Sequence, residues 1–127
     1  MSYKSKFSER YKFGKKSESD VLEIIRNYFK RDIIQTTEKF DKYDFTDDKY
    51  FYELKSRTNE LNKYPTTMIG SSKLNENAIL LFKFTDKLAY IEYNKDKFSS
   101  YETKKFTKYK IPQDYIYIPI NDLILIE

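Results

Sequence analysis

One amphipathic period followed by short β-type runs is the feature that most restricts this chain. Between Ser17 and Arg31 the apolar residues Val21, Leu22, Ile24, Ile25, Tyr28 and Phe29 recur at three- and four-residue spacing, which predicts a helix with one buried face. Gly14 precedes it, and Ser17 with Asp20 three residues on offers an N-cap. The next segments are too short for helices and rich in β-branched and aromatic residues. Residues 32–37 and 42–46 predict two strands, Asp47-Asp48-Lys49 a turn, and Tyr50–Ser56 a third strand, together an antiparallel meander. Residues 57–78 are polar and interrupted by Pro65 and Gly70, so they read as loop with one short helix near 72–77. Strand patterns return at 79–84, 88–93, 115–118 and 123–126, separated by a Lys-rich stretch over 94–110. Residues 1–13 are basic and aromatic without a clear period, either a flexible arm or an edge strand. The expected architecture is α/β or α+β, one domain over 1–127 around one mixed sheet, since 127 residues enclose one core and not two.

Composition narrows the chemistry. The chain has no Cys and no His, which removes disulfides, thiolate ligands and imidazole, so catalysis would have to run on carboxylates, Lys, Tyr, Ser, Thr or a hard metal ion. Its formal net charge of +4 tilts partners toward polyanions. Part of the Lys count belongs with the general abundance of Lys, Asn and Ile, the composition of an AT-rich coding sequence. No run approaches the roughly 20 apolar residues that cross a bilayer, and the first residues do not resemble a signal peptide, so an intracellular setting is expected.

The chemistry-bearing residues gather on the third predicted strand. Alternation puts Phe51, Glu53, Lys55 and Arg57 on one face, and Tyr52, Leu54 and Ser56 on the other. Glu53 and Lys55 then stand about 6.5–7 Å apart at Cα, close enough for a carboxylate to hold a cation while the ammonium reaches a neighbouring water or phosphate oxygen. Asp44, on the preceding strand, lies near Glu53 if the two form a hairpin, and two carboxylates with no Arg between them invite a divalent metal. By itself the Glu-x-Lys spacing is also that of an ion pair on a solvated sheet.

Order and context add to the dyad. The run from Gly14-Lys15-Lys16-Ser17-Glu18 through Asp44 to Glu53-Leu54-Lys55-Ser56-Arg57 resembles the PD-(D/E)XK nuclease superfamily, and in particular small archaeal Holliday-junction resolvases. It spans about a third of the chain, with Tyr43 where the family's motif has Pro. The resemblance implies a restriction-endonuclease-like core of helix, three-stranded meander, second helix and further strand. It also implies Mg²⁺-dependent hydrolysis of DNA phosphodiester bonds, with Mn²⁺ able to substitute. Asp44, Glu53 and the Leu54 carbonyl would hold the metal, Glu18 would join directly, through water or through a second ion, and Lys55 would act on the water and the phosphate. The family's second helix often carries a Gln or Lys toward the substrate, for which Lys73 is the candidate here. Lys15 and Lys16 fall to DNA contact.

The remaining residues admit two readings each. Glu18 lies on the apolar stripe of the helix, where burial demands compensation by a metal or water, but a first-turn acid is also stabilised by the helix N-terminus. Arg57 suits a phosphate or is a surface Arg. Lysines 95, 97, 104, 105, 108 and 110, interleaved with Phe98, Tyr101, Phe106 and Tyr109, fit a nucleic-acid track, although the Lys-rich composition favours a solvated strand and loop. Tyr64, Thr66, Thr67, Ser71 and Ser72 are placed near the cleft by sequence position alone. Cutting two strands would need two copies, and Tyr115–Ile126 is the apolar segment expected to pair in a homodimer. The rival to an enzyme is the same fold without turnover, serving as a nucleic-acid-binding or protein-interaction module.

Overall fold

The computed structural model describes residues 18–36, 43–106 and 113–127. The basic arm, Lys15, Lys16 and the Ser17 cap fall outside them. Helix α1 covers residues 18–29 and buries Val21 and Ile25 completely, as its periodicity demands. It stops at Lys30, whose φ of 54° is left-handed backbone, and the Arg26 Nε donates to the Ile33 carbonyl at 2.6 Å, folding the chain back toward the sheet.

Three strands follow, β1 (Ile34–Gln35), β2 (Phe45–Thr46) and β3 (Phe51–Ser56), paired antiparallel in chain order. The expected meander is present. Asp47 fixes the β2–β3 turn. Its Oδ1 accepts from the backbone N–H of Lys49 and of Tyr50, both at 2.7 Å, and its Oδ2 accepts from the Tyr52 hydroxyl at 2.6 Å. Because that turn sets Phe45 against Tyr52, the preceding residue, Asp44, comes opposite Glu53.

Beyond β3 the chain departs from the expectation. Residues 57–78 are not a loop with a helix: β4 (Thr66–Gly70) runs into a three-residue 3-10 turn (Ser71–Lys73). The buried positions of β4 are Thr67 and Ile69, and a polar Thr on the inward face hid the alternation. The chain then enters β5 (Ala78–Lys83), which pairs parallel with β3, and β6 (Leu88–Glu92), antiparallel to β5. A parallel pair requires a crossover, and here β4 and its turn provide it.

The Lys-rich stretch contains a short helix, α2 (Lys95–Phe98), capped by the Asn94 side chain accepting from the Lys97 N–H, and β7 (Thr103–Phe106). β8 (Gln113–Pro119) and, after a second 3-10 turn, β9 (Ile124–Ile126) complete the chain. Among the described residues two sheets result rather than one, a mixed six-stranded sheet in the order β1-β2-β3-β5-β6-β9 and a three-stranded antiparallel sheet in the order β4-β8-β7. β8 lies between β4 and β7, so of the Tyr115–Ile126 segment only β9, at the end of the larger sheet, keeps an unpaired edge among the described residues. No helix among the described residues is long and apolar enough to cross a membrane.

Two cores share the larger sheet. On one face α1 packs Val21 and Ile25 against Tyr52, Leu54, Ile79 and Leu81. On the other, the small sheet packs Ile69 and Ile118 against Leu80 and Phe82. β5 feeds both, its alternate residues pointing to opposite layers. Glu53 is paired with Leu80 and Lys55 with Phe82, so the acid and the base lie on the face toward the small sheet, away from α1.

Candidate active site

Glu53 is only 4% exposed, a carboxylate at the margin of an apolar core. Such burial is costly unless charge and hydrogen bonds compensate it. The compensation comes from two lysines. Lys55 Nζ lies 3.3 Å from Oε1 and Lys73 Nζ lies 3.4 Å from Oε2. Oε2 is closed off from solvent and accepts no hydrogen bond, so Lys73 meets it at ion-pair distance without hydrogen-bond direction. Burial, and then the neighbouring Asp44 carboxylate, push the Glu53 carboxyl above its ordinary pKa, and Lys55 and Lys73 offset this only in part.

Asp44 is held from both sides. Its N–H donates to the Tyr52 carbonyl at 3.0 Å, and its own carbonyl accepts from the Thr36 N–H at 3.0 Å. The side-chain Oδ2 accepts from the Leu54 N–H at 2.8 Å, which aims the carboxylate at the strand carrying Glu53. Tyr43 is a strut. Its ring stacks on Phe51 with centroids 5.3 Å apart, and its hydroxyl donates to the Lys73 carbonyl at 3.2 Å and accepts from Asn75 at 2.8 Å. The bend leading into β2, which carries Asp44, is thereby tied to the turn that carries Lys73. No second helix brings Lys73 here; a 3-10 turn after β4 does.

Beyond the pair of lysines opens a cleft of about 390 Å³, bounded by Lys55, Arg57 and Lys73 on one side and by Gly70, Gln113 and Tyr115 on the other. Arg57 is in the cleft but partly committed. Its Nε donates to Thr67 Oγ1 at 3.1 Å and an Nη to the Met68 carbonyl at 2.5 Å, lashing the end of β3 to β4, and burial lowers its pKa. Gln113 lies over Gly70, where an added Cβ would meet its amide, and donates to Ser72 Oγ at 3.2 Å. Gln113, Tyr115, Met68 and Gly70 did not emerge from the sequence as site residues. The alternation of Tyr115 and Tyr117 with Ile116 and Ile118 is the signal that separates an outward face from a core face. Thr66 and Thr67 border a neighbouring groove with Tyr64, and Ser72 reaches the cleft.

Glu18 is the first described residue of α1. Its Oε2 accepts from Gln35 Nε2 at 2.7 Å, at the β1 edge next to Thr36, which binds the Asp44 backbone. The helix stripe does face the sheet, but on the side opposite Glu53. Among the described residues no three carboxylates gather closely enough to share one ion. The donor set that fits a hard divalent cation is Asp44 with Glu53, whose buried Oε2 has no hydrogen bond to lose.

No family model, curated protein or solved structure matches the chain.

The raised Glu53 pKa makes a prediction for the metal-free protein. A carboxyl that holds its proton more tightly when folded subtracts stability on ionising: nothing is lost below about pH 4, the loss enters as pH rises through the folded pKa, and it is complete above. In chelator, Glu53→Gln removes this loss, so its melting temperature relative to wild type is expected to rise steadily from acid to neutral pH. A difference that stays constant across the range would show that Glu53 ionises as freely in the folded chain as in the unfolded one.

Proposed function

We propose that the chain is a metal-dependent nuclease acting on DNA phosphodiester bonds, with a restriction-endonuclease-like core. The observation that carries this is a buried carboxylate, Glu53, set beside Asp44 and between Lys55 and Lys73, at the mouth of a cationic cleft. A purely structural sheet has no use for a desolvated acid when an apolar residue of similar volume is as stable or more so. Perturbed ionisation in a cleft is the mark of a site.

Asp44 and Glu53, with the Leu54 carbonyl, would hold Mg²⁺ or Mn²⁺. When bound, the ion supplies charge neutralisation at the phosphate and a lowered pKa for water. Lys55, whose ammonium stands 3.3 Å from Glu53 Oε1, would orient water and stabilise charge building on the phosphoryl oxygens. Lys73, 3.4 Å from Glu53 Oε2 on the turn after β4, would add a second positive charge toward the phosphate. Arg57 holds the cleft wall and offers its remaining donors to the backbone of the strand. Glu18 acts at one remove, through Gln35 and the β1–β2 edge. Cutting both strands of a duplex or a Holliday junction would require a second copy, for which β9 offers the open edge.

The test is incubation with junction, flap, duplex and single-stranded DNA in Mg²⁺, Mn²⁺ or chelator. Cleavage that needs metal is expected; none with any substrate would overturn the reading. A second measurement is independent of turnover. Binding that favours the folded state stabilises by about 2.7 kcal/mol at a hundred times Kd. Mg²⁺ is therefore expected to raise the melting temperature of wild type and not of Glu53→Gln. Equal shifts in the two proteins would place the ion elsewhere.

A further inference from the structure

The small sheet has an outward face that continues the cleft. On β4, Thr67 and Ile69 turn inward, leaving Met68 and Gly70 outward; on β8, Ile116 and Ile118 turn inward, leaving Tyr115 and Tyr117 outward. Cross-strand pairing sets Met68 against Tyr117 and Gly70 against Tyr115. From β7, Lys104 is paired with Tyr115, and its Nζ stands 5.5 Å from the centre of the Tyr117 ring. Met68, Gly70 and Tyr115 also bound the cleft, so face and cleft are one surface.

We infer that this face is a stacking platform for an unpaired DNA strand, which crosses Tyr117 and Tyr115 and delivers a phosphate to Lys55 and Lys73. The inference deepens the nuclease reading and rests on it for the identity of the polymer. Two half-buried tyrosines on neighbouring alternate positions of one strand present ring faces at the spacing of a strand's side chains, and every unpaired base has a face to stack on them. The bases of a duplex are already stacked on one another and leave such rings idle. Lys104 supplies a cation beside the rings for the backbone. Its exposed partner Glu102, at 3.9 Å, is a weak competitor because an ion pair in open solvent contributes little. At Gly70 no side chain stands on the backbone itself, and the nearest atoms over it among the described residues belong to the flexible Gln113 side chain.

The experiment measures fluorescence anisotropy of a labelled oligothymidylate, and of a blunt duplex of equal length, with the full chain in chelator. Oligothymidylate is expected to bind more tightly than the duplex. Tyr117→Ala is expected to weaken it about tenfold, while Tyr117→Phe, which keeps the ring, stays within about twofold of wild type. Lys104→Ala alters an exposed side chain that the fold does not need, and is expected to flatten the slope of log affinity against log salt by about 0.7. A duplex bound as tightly as the single strand overturns the platform, as does a salt slope unchanged in Lys104→Ala. Wild type that binds oligothymidylate as expected but shows no metal-dependent cleavage overturns the nuclease reading and leaves the platform standing. Cleavage of duplex with Tyr117→Ala and Lys104→Ala both neutral does the reverse.

Discussion

Lys55→Ala is expected to lower metal-dependent cleavage by at least about a hundredfold, the usual loss when one preorganised group aimed at developing charge is removed. Asp44→Asn and Glu53→Gln are expected to be at least as severe, since each takes a carboxylate from the pair that would hold the cation. None of the three should unfold the chain. Lys55 is partly exposed, Asn at position 44 retains an oxygen to accept the Leu54 N–H, and Gln at position 53 replaces a costly buried charge by a neutral group of the same shape. Single-turnover cleavage, with the melting temperature recorded on the same preparations, separates chemistry from folding. A well-folded Lys55→Ala protein cutting at the wild-type rate would remove the dyad from the mechanism.

The largest effect on stability is expected at Phe82. It is wholly buried between the two sheets, 6.5 Å from Phe84 ring to ring, and lies 5.5 Å beneath the Arg57 guanidinium. Phe82→Ala is expected to cost about 3–5 kcal/mol, from lost burial and the cavity left behind. For a domain of this size that is a large share of a total of about 5–15 kcal/mol. The change also removes the ring on which Arg57 rests, so affinity for DNA should fall in molecules that remain folded. Urea titration measures the first effect, and Phe82→Leu, expected to lose much less, keeps the experiment interpretable if the Ala variant does not fold. A loss below about 1 kcal/mol in Phe82→Ala would mean that the small sheet does not seal this face.

How much of this was legible in the sequence depended on whether a side chain's period was also its environment. Val21 and Ile25 announced α1, and the alternation through Tyr52 and Leu54 announced β3 with the correct facing of Glu53 and Lys55. The Asp47 turn was visible because Asp side chains bind backbone N–H groups locally. What stayed hidden was non-local. Thr67 points inward with a polar side chain, so β4 looked like loop, and with β4 unseen the small sheet, the two-layer packing and the cleft wall were unseen as well. Lys73 was expected on a helix, and it stands instead on a 3-10 turn held by Tyr43. Glu18 was read from the period of its own helix, and its hydrogen bond with Gln35 is a contact that periodicity does not give.

The parallel pairing of β3 with β5 bears on when the site comes into being. Antiparallel neighbours such as β2 and β3 can zip from a short turn, but β3 meets β5 only after the intervening crossover has closed, and ordering such a loop precedes any reward from its contacts. Lys73 and the cleft wall of β4 belong to that crossover, while Glu53 and Lys55 belong to the strand that waits for it. A nascent or partly opened chain can thus hold the meander, with Asp44 already against β3, and still lack the groups that face it. On the proposed function, cleavage competence would then report closure of the crossover rather than the amount of β-structure formed.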